Sequence, residues 1–242
     1  MRLLAIDAGN SRIKWGLHEN ELWLERGAVA TAEAHRLIEV FSRIPPPARV
    51  VAANVAGDQI AQRVAAAIGH FGVAPYWVVS REAQCGVRSS YLEPERLGPD
   101  RWAALIGARH LHAGAAVVVN AGTTMTVDAL SSEGIFLGGY IVPGYTLMRD
   151  SLATNTALLK PESGSLSFFP DNTADAIASG ALNALAGAVD RMARYMMETG
   201  EGDAMILLSG GDAGVLAPML TAPRLVDNLV LDGLLQIGVS DV

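Results

Sequence analysis

A chain of 242 residues, half of them hydrophobic, can bury a substantial core, as one large domain or as two of about 100–120 residues. Its formal charge is −7 and only Lys14 and Lys160 supply lysine, so no basic cluster is present to neutralise a phosphate strand and nucleic-acid binding is not expected. The single cysteine, Cys85, rules out an intrachain disulfide or a cysteine metal cluster and reads as a small buried apolar residue; the five histidines (His18, His35, His70, His110, His112) are scattered, without HExxH spacing. The four apolar residues before Asp7 are too few for a secretory segment, and no apolar run nears the ~20 residues that span a bilayer, so a soluble, cytoplasmic protein is expected.

In chain order, residues 3–6 are an apolar run leading into Asp7-Ala8-Gly9-Asn10-Ser11-Arg12-Ile13-Lys14, which reads as a buried strand, a Gly turn and a second strand. Residues 15–17 and 22–24 continue an antiparallel meander. Residues 31–44 have helical periodicity, with Thr31 as N-cap and Pro45-Pro46-Pro47 as the stop. A strand over 50–55, an amphipathic helix carrying Ile60, Val64, Ala67 and Ile68 that ends near Gly72, and a short strand over 76–79 follow. A polar connection over 80–98 carries Tyr91. Pro99 then suits the first position of a helix in which Trp102, Leu105, Ile106 and Arg109 keep helical spacing.

At residue 117 the opening pattern returns: Val117-Val118-Val119-Asn120-Ala121-Gly122-Thr123-Thr124 again places Asp or Asn, then Ala-Gly, then small polar residues after an apolar run. Residues 135–142 contain Gly138-Gly139 and close with Pro143-Gly144. A loop-rich stretch covers 155–170, and Asn172 with Asp175 caps a long Ala-rich helix ending at Gly200. A strand over 205–208, the tight turn Ser209-Gly210-Gly211-Asp212 and a final helix near 228–234 complete an α/β chain of two similar lobes, divided as 1–113 and 114–242.

For either copy alone, an ordinary hairpin with a Gly turn is the simpler account. Two matched copies point further: each turn gathers backbone N–H groups and short polar side chains into a phosphate cradle, and the pair suggests a nucleotide held between related lobes. No GxxxxGK[ST], GxGxxG or GxSxG occurs, which excludes the commoner nucleotide loops and the nucleophile elbow. In the first turn Asp7 is the natural Mg²⁺ partner, direct or through water, since Mg²⁺ prefers oxygen and keeps several waters. If Ile13 and Trp15 face the core, Arg12 and Lys14 share the opposite face, where Asn10, Ser11 and Lys14 meet phosphates. Asp100, in the first turn of its helix, is the best candidate for a catalytic base, and Arg101 beside it suits a substrate carboxylate. Acidic residues are also common in first turns for stability alone.

Asp7-Ala8-Gly9-Asn10-Ser11, Gly98-Pro99-Asp100-Arg101, Ala121-Gly122-Thr123, the run from Gly138 to Gly144, and Asn172-Thr173 with Gly180 together resemble the type III pantothenate kinases, in the family's order and over most of the chain. The resemblance implies two ribonuclease H-like lobes of the acetate kinase–sugar kinase–heat-shock–actin superfamily and ATP-dependent phosphorylation of pantothenate, the first step toward coenzyme A. It implies that residues Asp7, Ala8, Gly9, Asn10, Ser11, Arg12, Ile13 and Lys14 form the first ATP phosphate loop, and that Thr123 contacts ATP in the second. Asp100 is then the proton acceptor within the substrate run Gly98, Pro99, Asp100 and Arg101, while Tyr91 and Thr173 match further pantothenate contacts. The turn from Ser209 to Asp212 corresponds to the adenosine side. A homodimer whose interface helps form the pantothenate site is also implied. The second cradle of the family usually opens with Asp, which binds K⁺ or NH₄⁺; Asn120 stands there in this chain, so weak or absent K⁺ dependence is expected. Two other readings stay open on sequence: a kinase for another small hydroxyl substrate, and a nucleotide-binding regulatory protein of the Bvg accessory factor kind without turnover.

Overall fold

Two five-stranded arrangements with the same strand order account for the doubled sequence pattern. The computed structural model describes residues 1–156 and 163–240, and the chain forms two units. The first is Met1–His112 together with the C-terminal segment from Asn228; the second is Ala113–Asp227.

In the first unit, β1 (Leu3–Ala8), β2 (Arg12–Glu19) and β3 (Leu22–Ala30) form the expected meander. Asn20 and Glu21 take left-handed conformations in the tight β2–β3 turn, a geometry Asn tolerates well. After α1 (Leu37–Ser42), β4 (Arg49–Asn54) returns parallel to β1; after α2 (Asp58–Ile68), β5 (Pro75–Trp77) adds parallel to β4, giving the order β3-β2-β1-β4-β5. A two-strand hairpin, β6 (Ala83–Gln84) and β7 (Val87–Ser89), precedes α3 (Pro99–Leu111). In the second unit β8 (Ala116–Ala121), β9 (Thr124–Leu130) and β10 (Ile135–Pro143) repeat the meander. Following α4 (Tyr145–Asn155) and α5 (Thr173–Glu198), β11 (Met205–Ser209) lies parallel to β8; after α6 (Ala213–Leu216), β12 (Arg224–Leu225) lies parallel to β11. The order β10-β9-β8-β11-β12 copies that of the first unit. The last helix, α7 (Leu229–Ser240), returns to the first unit.

Alternation along β1 divides its residues between two faces. Leu4, Ile6 and Ala8 join Ile13, Trp15 and Leu17 of β2 in a core closed by Leu37, Phe41, Val64 and Ile68 of α1 and α2. Leu3, Ala5 and Asp7 take the other face, where Leu3 meets Gly238 of α7. In the second unit, Val117, Val119, Met125 and Val127 pack against Leu185, Val189 and Met192 of α5. That helix starts as its sequence requires: Asn172 Oδ1 accepts from the Asp175 N–H at 2.9 Å and its amide donates to the Asp175 carboxylate at 2.7 Å. A register shift between Phe136 and Gly138, with Gly138 at φ 138°, marks a bulge that explains Gly138 in β10.

Several expectations are corrected. The second lobe does not extend through 114–242: α7 packs along α3, and Arg49 donates to the Gly238 carbonyl at 2.8 Å, so the C-terminal helix belongs to the first unit. Residues 31–44 are not one helix capped by Thr31. A 3₁₀ segment, Thr31–Arg36, runs into the short α1, and the Thr31 hydroxyl donates to the Gly9 carbonyl at 2.7 Å instead of capping. The connection over 80–98 contains the β6–β7 hairpin, whose turn holds Cys85 at φ 48°, half-buried rather than buried. Helix α4 has no counterpart in the sequence reading. Part of the stretch 155–170, with Lys160, lies outside the described residues. Among the described residues no helix is long and apolar enough to cross a membrane.

Candidate active site

The first turn is tied down through its carbonyls. Ala8 O accepts from the Val55 N–H at 3.0 Å, Gly9 O from the Thr31 hydroxyl, and Ser11 O from the Thr31 N–H at 3.0 Å. Gly9 N–H closes the turn onto Arg12 O at 3.1 Å. With these groups engaged inward, Asn10, Ser11 and Arg12 are presented to solvent, while Ile13 is buried. Antiparallel register makes Lys14 the direct cross-strand partner of Asp7, on the face that β1 turns away from the α1–α2 core.

On that face Asp7 is buried at the end of its strand. Desolvation pushes its pKa up to about 7, Lys14 pulls the other way, and the charge of Asp100 adds to the rise. Both carboxylates belong to the first unit, and the charge of Asp100 is felt at Asp7. Helix α3 begins with Gly98 as N-cap and Pro99 at the first position, and the Trp102 N–H closes the first turn on Gly98 O at 3.0 Å. No side chain caps the helix from Gly98; the Asp100 carboxylate instead accepts from the Arg101 N–H at 2.9 Å. A Cβ at residue 98 would lie 2.6 Å from Asp100 Oδ1, so a side chain there would press the carboxylate out of its present rotamer. The Asp100 pKa is raised chiefly by burial, against the N–H of Arg101, its own N–H and the Arg101 charge.

Arg101 is buried, an unusual position for an arginine, and its guanidinium donates to the Tyr91 hydroxyl at 3.3 Å. The first unit thus collects Asp7, Lys14, Asp100, Arg101 and Tyr91, drawn from two strands, one loop and the start of one helix.

The second turn is held by two glycines. Gly122 N–H donates to Thr124 O at 3.2 Å, Gly144 N–H to Thr123 O at 2.9 Å, and Asp212 N–H to Ala121 O at 3.0 Å. A Cβ at Gly144 would sit 1.9 Å from Gly122 O, and one at Gly210 (φ 106°) 2.2 Å from Ala121 O. The turn from Ser209 to Asp212 therefore lies directly against the second cradle, and Thr123 is exposed at its tip. Asn120 is paired across the strands with Thr126 on one side and Ser209 on the other, so its row carries neutral oxygens and no carboxylate. Thr173 is not beside this turn. It begins α5 and lines a groove of 820 Å³ with Met148, Leu152, Asn172, Ile177 and Gly180, and among the described residues none of the second cradle lines it. Among its described lining residues Asp171 is the one ionisable group, so the chemistry is assigned to the face that carries Asp7 and Lys14, with Asp100. The sequence reading missed the roles of Thr31 and Gly144, although a hydroxyl at the end of β3 and a Pro-Gly after β10 were visible.

A family model of type III pantothenate kinases matches residues 3–195. The chain belongs to the type III pantothenate kinase family. It is 49% identical over 240 residues to the type III pantothenate kinase of Aromatoleum aromaticum, with 99% of this chain and 98% of that one covered. It is 45% identical over 243 residues to that of Nitrosomonas eutropha, covering 98% and 95%. Solved structures extend the likeness in fold alone. Component A of (R)-2-hydroxyglutaryl-CoA dehydratase from Acidaminococcus fermentans superposes with a TM-score of 0.58 at 12% identity, covering 98% of this chain and 96% of that one. MreB 5 of Spiroplasma citri, solved with AMPPNP bound, gives 0.50 at 12% identity, covering 96% and 94%. The fold of this pantothenate kinase family member is accordingly that of the acetate kinase–sugar kinase–heat-shock–actin superfamily, each unit carrying the ribonuclease H-like strand order.

Proposed function

We propose that Asp100 accepts the proton of the primary hydroxyl of pantothenate as this enzyme transfers the γ-phosphoryl group of ATP to it. The overall reaction is that of the family, ATP-dependent phosphorylation of pantothenate to 4′-phosphopantothenate at the start of coenzyme A biosynthesis. The observation that carries the role of Asp100 is its placement: a carboxylate at a helix start, made more basic by burial, on the same face as Asp7 and Lys14. A base whose pKa lies nearer the working pH is the more effective one.

In this reading the turn from Asp7 to Lys14 receives the phosphates, with Arg12 and Lys14 supplying positive charge and Thr123 a further hydroxyl contact to ATP. Arg101 suits the pantothenate carboxylate, and its hydrogen bond to Tyr91 fixes the guanidinium plane. Thr173, exposed at the start of α5, is a further pantothenate contact in a homodimer of cytoplasmic enzyme. Mg²⁺ takes one or two carboxylates and completes its shell with water and phosphate; Asp7 fits, because a cation offsets the charge that burial disfavours. Bound there, Mg²⁺ would neutralise charge on the phosphates. The row of Ser209, Asn120 and Thr126 offers a monovalent cation neutral oxygens without the charge of a carboxylate, which weakens binding, and K⁺ dependence of turnover is expected to be weak or absent at fixed ionic strength. A several-fold gain in K⁺ would contradict that.

The assignment of Asp100 is tested with Asp100→Asn. The change should lower kcat by about 10²–10⁴-fold with a smaller effect on ATP affinity. Turnover near the wild-type rate would remove Asp100 from this role.

A further inference from the structure

We infer that Gly233, assisted by Gly107, is a positioning residue for Asp100, an inference that rests on the reading of Asp100 as the base. Helices α3 and α7 meet backbone to backbone. A Cβ at Gly233 would lie 1.7 Å from Ala103 O and 2.5 Å from Ala103 C; one at Gly107 would lie 2.4 Å from Leu229 O and 3.0 Å from Gly233 N. Both obstacles are main-chain atoms, so no rotamer change relieves them. At this separation the Cα–H groups of one helix approach the carbonyls of the other, a contact that recurs at close helix crossings.

The crossing lies where it matters for Asp100. Ala103 follows Asp100 by three residues, about 4.5 Å along the helix axis. Helix α7 is itself fixed to the sheet: Arg49 of β4 donates to the Gly238 carbonyl at 2.8 Å, and Gly238 sits against Leu3 of β1 and Val51 of β4. Leu3 and Asp7 share one face of β1. Helix α7 lies against β1 and β4, and α3 lies against α7 and β4, so the α3–α7 crossing helps set the separation between Asp7 and Asp100, and its tightest approach is Gly233 on Ala103. A methyl group at Gly233 must push Ala103 O from 1.7 Å to at least 3.0 Å, so α3 retreats by more than an ångström and carries Asp100 with it. Misplacing a reacting group by about 1 Å costs on the order of 10²-fold in rate.

The test measures kcat and the KM for ATP of Gly233→Ala, Gly107→Ala and Val64→Ala, alone and with Asp100→Asn, after circular dichroism and a melting curve establish folding. Val64 lies in the core on the opposite face of the sheet, so its truncation lowers Tm without moving α3. Gly233→Ala should lower kcat by about 10²-fold and leave the KM for ATP within roughly threefold. Gly107→Ala, with its milder overlap farther from Asp100, should lose about tenfold, and it carries the test if Gly233→Ala does not fold. Val64→Ala should melt lower with kcat unchanged. In the Asp100→Asn background Gly233→Ala should cost little more, since the group it misplaces is gone. Wild-type kcat in folded Gly233→Ala and Gly107→Ala, or losses that multiply with Asp100→Asn, would overturn the inference. Wild-type kcat in Asp100→Asn would instead overturn the role of Asp100 itself, and the two failures are told apart by that single variant.

Discussion

Asp7→Asn should yield an enzyme that is inactive and harder to melt. The Asp7 carboxyl has a pKa of about 7 in the fold against an ordinary 3.8, because burial disfavours its charge. Below pH 3.8 it is protonated both folded and unfolded and makes no difference to stability. As pH rises toward 7 the unfolded chain gives up its proton first, the folded state binds more protons, and stability falls; above about 7 the loss is complete and constant. At about 1.4 kcal/mol per unit, a rise of about 3 is worth about 4 kcal/mol in a dry site, and about 2–3 kcal/mol once water enters around the turn. Asparagine keeps the volume and removes the charge. For a chain of this size about 2–4 °C accompanies each kcal/mol, so the variant should melt about 5–10 °C above wild type near pH 8.5. Near pH 5 the gap should shrink to about one-third, since the unfolded carboxyl is then only slightly past its own pKa. Melting curves of both proteins at the two pH values test this, and MgATP should raise the Tm of the wild type but not of the variant. A gap that is the same at both pH values, or a variant that melts lower near pH 8.5, would refute the reasoning.

Gly144→Ala places a Cβ 1.9 Å from Gly122 O and should distort the second turn; Tm should fall, and in the protein that remains folded the KM for ATP should rise by about tenfold or more, whereas an unchanged KM would detach that turn from ATP. Asn172→Ala removes the side-chain cap of α5 and should cost about 1 kcal/mol, read as a fall of about 2–4 °C in Tm.

What the sequence made legible was local. The doubled pattern at Asp7 and Asn120 needs only an apolar run and an Ala-Gly turn, and both copies fold into the same strand order. The Asn172–Asp175 pair is equally local, two side chains within one helical turn. What stayed hidden depends on residues distant in sequence. Gly107 and Gly233 look like ordinary weak points in two helices until the carbonyls of Leu229 and Ala103 are seen against them. The place of α7 in the first unit follows from that contact and from Arg49, neither of which leaves a periodic trace. Thr31 resembled an N-cap because Ser and Thr favour such sites, yet its hydroxyl serves the Gly9 carbonyl twenty-two residues earlier. Helix α4 buries none of its residues and so shows no apolar stripe. The site was legible in its residue types, Asp7, Lys14, Asp100 and Arg101; the cross-strand pairing of Lys14 with Asp7 and the buried state of Arg101 required the fold.

The most direct test of the central claim is ADP formation by the purified protein from MgATP, with and without pantothenate. ADP release that depends on pantothenate, and that is lost in folded Asp100→Asn, is the predicted result. A folded protein that binds ATP but forms no ADP when pantothenate is added would contradict it and leave a nucleotide-binding protein without turnover.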